Sequence, residues 1–151
     1  HAGGLRSAVA EGATLVTSDL ALPYFQRVLA NPNTIAPDAM QRSGRKPVLM
    51  GVKGKRVFTD GERVVEVHAI ESSLHAQGFM MVYLPREKIL IEADAFTPGP
   101  PNTPPPAKPN DLSVNLLHNM ERLNLQVEQI LPLHGRMVTV TDLYTAVGKK
   151  N

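Results

Sequence analysis

Phe79-Met80-Met81-Val82-Tyr83-Leu84-Pro85-Arg86-Glu87-Lys88-Ile89-Leu90-Ile91-Glu92-Ala93-Asp94 is the stretch on which the fold turns. It holds two apolar runs, 79–84 and 88–93, each too short for a helix and joined by Pro85, Arg86 and Glu87. The runs are continuous rather than alternating, as in strands covered on both faces. Asp94 closes the second run, where a sheet end can hold a charged side chain with little reorganisation.

Working upstream, 57–59 and 63–70 flank Asp60-Gly61, the two-residue hairpin signal, and Val65, Val67 and Ala69 alternate in the second run. Thr14 to Thr17 reads as a brief buried strand. Leu5, Ala8 and Val9 have helical spacing, with Gly12 where a C-terminal left-handed residue belongs. A second helix is expected over 22–30, capped by Ser18 or Asp19, with Pro23 tolerated in its first turn. The stretch 31–46, with Pro32, Pro37 and Ser43-Gly44, reads as an exposed connection.

Downstream, about 97–109 is too rich in proline for a helix or inner strand and is expected as a stiff surface loop. Asp111 is placed as the cap of a helix to about Leu123, with Leu112, Leu116, Met120 and Leu123 on one face. A short strand over 129–133 follows. Thr141 is placed as the cap of a closing helix that ends near Val147 with Gly148 and two lysines. No period repeats. The order suits one layered α/β or α+β domain over 1–151 with no internal boundary.

Composition excludes several function classes. With no cysteine among 151 residues, there is no thiolate ligand, disulfide framework or cysteine nucleophile, so a metal would rest on His, Asp or Glu. The net charge is +2. A short basic run, Arg42 to Lys46 with Lys53, Lys55 and Arg56 beyond it, lacks the interleaved aromatics of a stacking platform and reads as solvated surface. No nucleic acid partner is expected, and no stretch approaches the ~20 apolar residues of a membrane span. The chain opens on His1 rather than Met, so it is expected to begin inside a longer protein, with its compartment left open.

Ionisable residues cluster at ends of the apolar runs. His75-Ala76-Gln77-Gly78 precedes the first strand of the deciding stretch, Asp94 closes the second, His134-Gly135 closes 130–133, and His1-Ala2-Gly3-Gly4 stands before a helix. Imidazole and carboxylate suit zinc, manganese or iron when thiolates are absent, and ligands dispersed over several strand ends are typical of catalytic sites. Taken singly, each has a bland reading as a hydrogen-bonded strand-end or turn residue. His68, inside an alternating strand, and His118, on a helix, are read as structural or exposed. Tyr83 and Phe96 are read as core or wall.

In this order, His1-x-Gly3-Gly4, His75 with Gly78 and a strand ending Val82-Tyr83-Leu84-Pro85, Glu92-Ala93-Asp94, and His134-Gly135 after Ile130-Leu131-Pro132 resemble successive metal motifs of the metallo-β-lactamase superfamily. The resemblance runs from His1 to about Val147 and is strongest, over 88–96, toward its soluble hydrolase-like branches. It implies an α+β fold, the αββα sandwich, incomplete here because the amino-terminal sheet and the His-x-His-x-Asp segment ahead of His1 are absent. By the same resemblance His1 and His134 would serve the second metal, His75 would complete the trio on the first, and Asp94 would contact both and act in catalysis. Glu92, Ser72 and Ser73 are candidates to hold the imidazole rings.

The activity implied is two-metal hydrolysis of a small-molecule ester, lactone or amide-type substrate in the intact parent, with zinc first and manganese or iron as alternatives. The 151-residue piece is expected to be inactive alone, to bind metal poorly, and to self-associate as a homo-oligomer through an exposed sheet. The other reading is a non-catalytic scaffold or interaction module retaining remnants of the site.

Overall fold

The structure, a computed structural model, describes residues 3–102 and 104–149. The chain divides into two compact units, residues 1–53 and 54–151. None of the described helices is long and apolar enough to cross a membrane.

The first unit carries α1 (Leu5–Ala10), β1 (Thr14–Ser18), α2 (Leu22–Ala30), α3 (Ala39–Ser43) and β2 (Val48–Val52). β1 and β2 pair in parallel, from Thr14 opposite Val48 to Ser18 opposite Val52, with the two later helices in the crossover. Val9, Leu15, Leu29 and Met40 form its core. Neither Ser18 nor Asp19 caps α2, whose cap position is Ala21; the Ser18 hydroxyl instead accepts the Leu20 N–H at 3.2 Å. The stretch expected as an exposed connection contains α3. Its single turn is held because Asp38 accepts the Gln41 N–H at 2.9 Å and Gly44 closes it at φ +66°. Arg6 of α1 reaches the same carboxylate through both Nε and Nη2.

The second unit is built on a sheet ordered β3 (Lys55–Thr59), β4 (Val64–Ala69), β5 (Met80–Leu84), β6 (Ile89–Glu92), β7 (Gln129–Pro132) and β8 (Val138–Thr139). β3 to β6 form an antiparallel meander. β7 then joins β6 in parallel, after a crossover containing α4 (Asp111–Arg122), and α5 (Val140–Ala146) leaves directly from β8.

Leu90, Leu116, Ile130, Leu143 and Met81 are fully buried, with Tyr83 and Met120 buried beside them, so the helices pack on the sheet face that carries Leu90 and Ile130. Each such aliphatic side chain contributes about 1.5–3 kcal/mol of burial free energy.

Several local expectations shift. Thr59 pairs with Val64, so the β3–β4 connection is the four residues 60–63 rather than a two-residue turn. The Asp60 carboxylate accepts the Glu62 and Arg63 N–H groups at 3.0 and 2.8 Å, an aspartate turn in which Gly61 takes the positive φ. Asn110, not Asp111, caps α4, its side chain accepting the Leu112 N–H at 2.8 Å. Thr139, not Thr141, caps α5; its N–H and hydroxyl both donate to Asp142, at 3.1 and 2.8 Å. His68 is buried on β4 beside Glu66 at 2.8 Å, and Lys55 reaches the other oxygen of Glu66 at 2.7 Å. His118 is exposed on α4. Both histidines are structural or exposed, as expected.

Candidate metal centre

Strand topology brings three of the singled-out residues together. β6 and β7 run parallel with Glu92 opposite Pro132, and each strand ends there. Asp94 and His134 each lie two residues further on, so they leave the sheet side by side at one edge. β5 is antiparallel to β6, with Val82 opposite Ile91, and therefore starts at the edge where β6 stops. The loop entering β5 carries His75 over that same edge.

The geometry that results is specific. His75 Nε2 lies 3.4 Å from Asp94 Oδ2, and His134 Nε2 lies 3.2 Å from Asp94 Oδ1. One carboxylate thus presents a different oxygen to each imidazole. His75 and His134 are 41% and 53% exposed and Asp94 21%, which leaves the trio open to solvent and to a ligand. His1 lies outside the described residues.

Local chemistry holds each member in place. Asp94 takes the left-handed conformation at φ +70°, which a short polar side chain tolerates better than most. The turn around it is closed by buried Glu92, whose Oε2 accepts the Ala95 and Phe96 N–H groups at 2.8 and 3.1 Å. Burial pushes the Glu92 carboxyl up to about 7 against the pull of those two donors, and the Asp94 charge adds to the rise. Its Oε1 has no hydrogen-bond partner among the described residues. The Glu92 carbonyl accepts the Leu133 N–H at 2.8 Å, tying the approach to His134 to the same residue.

Gly135 follows at φ +118°, and a Cβ there would sit 3.2 Å from Cγ and Cδ of Pro98. The histidine turn needs glycine for both reasons. Ser73 accepts the His75 backbone N–H at 3.2 Å, and the His75 ring stacks at a tilt on Phe79 with centroids 5.1 Å apart. The Glu92 carboxylate and the Ser73 hydroxyl each accept main-chain N–H groups beneath a ligand candidate. Beside Asp94 opens a cleft of about 580 Å³, with Phe96, Pro98, Pro100, Ser113, Arg136 and Thr139 among its walls.

The site's support includes residues that sequence patterning missed. Asn119 lies buried on the helix face that also carries Leu116 and Met120, and its side chain binds the main chain of Glu71. The one sequence signal was its amide among apolar helix positions, where an unpaired polar group is costly.

Among the described residues no three His, Cys, Asp or Glu side chains form a group able to hold one metal ion. The donor set still suits divalent metals in kind: two imidazole nitrogens face different oxygens of one carboxylate, and imidazole and carboxylate are ligands that zinc, manganese or iron accept.

No protein-family model and no curated protein sequence matches the chain. Solved structures do. A metallo-β-lactamase from Pontibacter korlensis superposes with a TM-score of 0.61 at 19% identity, over 97% of this chain and 62% of that one. The rubredoxin oxygen:oxidoreductase from the anaerobe Desulfovibrio gigas gives 0.65 at 19% identity, over 99% of this chain and 40% of that one. The fold is that of the metallo-β-lactamases. A flavodiiron protein from Giardia intestinalis shares it, with a TM-score of 0.59 at 16% identity over 92% of this chain and 35% of that one.

The chain thus carries the metallo-β-lactamase fold over a part of the length of each of these proteins, as an α+β arrangement of two sheets with helices among the described residues. Neighbours named for a β-lactamase and for an oxygen:oxidoreductase show that this fold hosts different chemistries, so the reaction has to be argued from the site.

Proposed function

We propose that this chain supplies the later ligands of a metal-dependent hydrolase centre, as part of a longer single domain of metallo-β-lactamase fold. The observation that carries the proposal is the placement of Asp94 between two imidazoles, one oxygen to each. In this reading Asp94 would serve both ions, His75 the first, and His134 with His1 the second. Zinc fits the all-imidazole-and-carboxylate donor set best, with manganese or iron as alternatives. Such ions, when bound, lower the pKa of a coordinated water and polarise the oxygen of an ester, lactone or amide-type substrate.

The chain's own residues do the positioning. Asp94 holds one Nε2 atom against each of its two oxygens. Glu92 fixes the main chain on either side through its side chain and its carbonyl. The cleft next to Asp94, with the Phe96, Pro98 and Pro100 side chains on its walls, accommodates the part of a small substrate that does not react. The donors described here number two per ion, so metal binding by the chain alone is expected to be weak.

The test is zinc titration of the protein followed through its histidine side-chain NMR signals, with Asp94→Ala alongside. Both His75 and His134 should respond in the wild type, and neither should in the variant. Equal responses of wild type and Asp94→Ala would sink the proposal. A protein in which even a large excess of zinc moves neither histidine would sink it too.

A further inference from the structure

The loop that carries His75 is bound at its root to one face of α4. Ile70 donates its N–H to the Phe79 carbonyl at 2.9 Å, which closes the neck of the loop where β4 leaves and β5 begins. Just inside the neck, Asn119 grips the Glu71 peptide on both sides. Its Oδ1 accepts the Glu71 N–H at 2.8 Å and its Nδ2 donates to the Glu71 carbonyl at 3.1 Å.

One turn earlier on the helix, Asn115 Nδ2 donates to the carbonyls of Glu71 and Ser72, at 3.0 and 3.3 Å. One turn later, Arg122 Nη1 lies 3.1 Å from the Glu71 carboxylate while Nη2 donates to Asn119 Oδ1 at 3.0 Å. Residues 115, 119 and 122 follow the helical i, i+4, i+7 spacing, so they form one stripe aimed at two consecutive loop residues.

An asparagine that is 3% exposed amid the apolar core is worth its desolvation only if its amide is satisfied. Here both ends of the amide are used, in the manner of a strand partner, and its Nδ2 also donates to the Asn115 carbonyl at 2.9 Å. Ser72 next to it takes φ +54°, a conformation that serine adopts only under constraint. The stripe supplies that constraint, and Ser73 then turns the chain by accepting the His75 N–H.

We propose that Asn119, backed by Asn115 and Arg122, is a positioning residue for His75: it sets the loop so that the imidazole meets Asp94. The inference rests on the metal-centre reading above but predicts a metal-free signature of its own. α4 thereby couples to the site through main-chain bonds of Glu71 and Ser72.

The experiment uses the whole chain and two NMR readouts on wild type, Asn119→Ala, the less buried Asn115→Ala, and Leu143→Ala as a core variant outside the stripe. The first readout is the ring-to-ring Overhauser contact between His75 and Phe79 without metal. The second is the zinc concentration at which the His75 ring signals half-respond. Asn119→Ala should lose the ring contact and raise the zinc midpoint about tenfold, in the range seen when outer supports of a metal ligand are removed. Asn115→Ala should do the same to a smaller extent, and Leu143→Ala should leave both unchanged.

If Asn119→Ala does not fold, Asn115→Ala alone decides. An unchanged ring contact and midpoint in the folded stripe variants, or an equal loss in Leu143→Ala, would overturn the proposal. If zinc leaves the wild-type histidines unmoved, the metal-centre reading fails by itself, and the positioning role then stands or falls on the metal-free ring contact.

Discussion

Replacing Gly135 by alanine tests whether the turn beneath His134 depends on glycine for its backbone and for its space. At φ +118° an L residue is strained, and leaving the favoured regions costs about 1–2 kcal/mol. The new Cβ would also lie 3.2 Å from two ring atoms of Pro98, so that ring or the turn must give by a few tenths of an ångström, for about another 1 kcal/mol. The sum is about 2–3 kcal/mol.

Gly148 provides the internal reference, because it is at φ +72° with nothing within 4 Å of a built Cβ. Gly148→Ala should cost about 1 kcal/mol, from backbone strain alone. Urea denaturation, with the β6 and β7 amides followed by hydrogen exchange, measures both variants. The Pro98 contribution is isolated by a double-mutant cycle: in a Pro98→Ala background the Gly135→Ala penalty should shrink by about 1 kcal/mol. A Gly135→Ala penalty no larger than that of Gly148→Ala, or one indifferent to Pro98→Ala, would refute the reasoning.

Two further outcomes follow from the structure. The Arg6 guanidinium, with the Gln41 N–H behind it, holds the Asp38 carboxyl well below the usual range. A depressed carboxyl contributes stability above its unfolded pKa of about 4 and loses it as pH falls toward the folded value, so Asp38→Asn should flatten the acid limb of the first unit's stability profile below about pH 4 and lower stability at neutral pH; acid titration by circular dichroism would show an unchanged limb if the pair is idle. Leu131 and Leu133, 40% and 55% exposed at the end of β7, leave apolar surface there, so Leu131→Glu with Leu133→Glu should reduce self-association in sedimentation velocity, and a wild type that stays monomeric at high concentration would count against the expected association.

Local sequence carried a good deal of the fold because the relevant signals are short-range. The apolar runs of β5 and β6, the helical stripe of α4 and the brief β1 each announce themselves within a dozen residues, and all form within a few residues of the expected bounds. Helix caps were displaced for a physical reason. Neighbouring polar residues, Asn110 beside Asp111 and Thr139 ahead of Thr141, can each cap, and the role falls to the one placed just before the first turn: Asn110 accepts the Leu112 N–H, and Thr139 forms a capping box with Asp142. β2, β8 and α3 escaped because none is stable alone. β2 exists through its distant parallel partner β1, the two residues of β8 through pairing with β7, and α3 through the Asp38 cap that Arg6 holds.

The candidate site divides along the same line. By itself the sequence determined that His75, Asp94 and His134 would stand beside the ends of strands, because the runs that stop beside them are written in consecutive residues, although the continuous apolar runs form strands buried on alternate residues rather than on both faces. Only tertiary structure decided that those ends share one edge, that Asp94 offers a separate oxygen to each imidazole, and that Asn119 holds a loop 48 residues away in the chain. Strand formation is governed by neighbours in sequence, whereas which strand lies beside which is governed by the burial of a common core, and no local pattern records that choice.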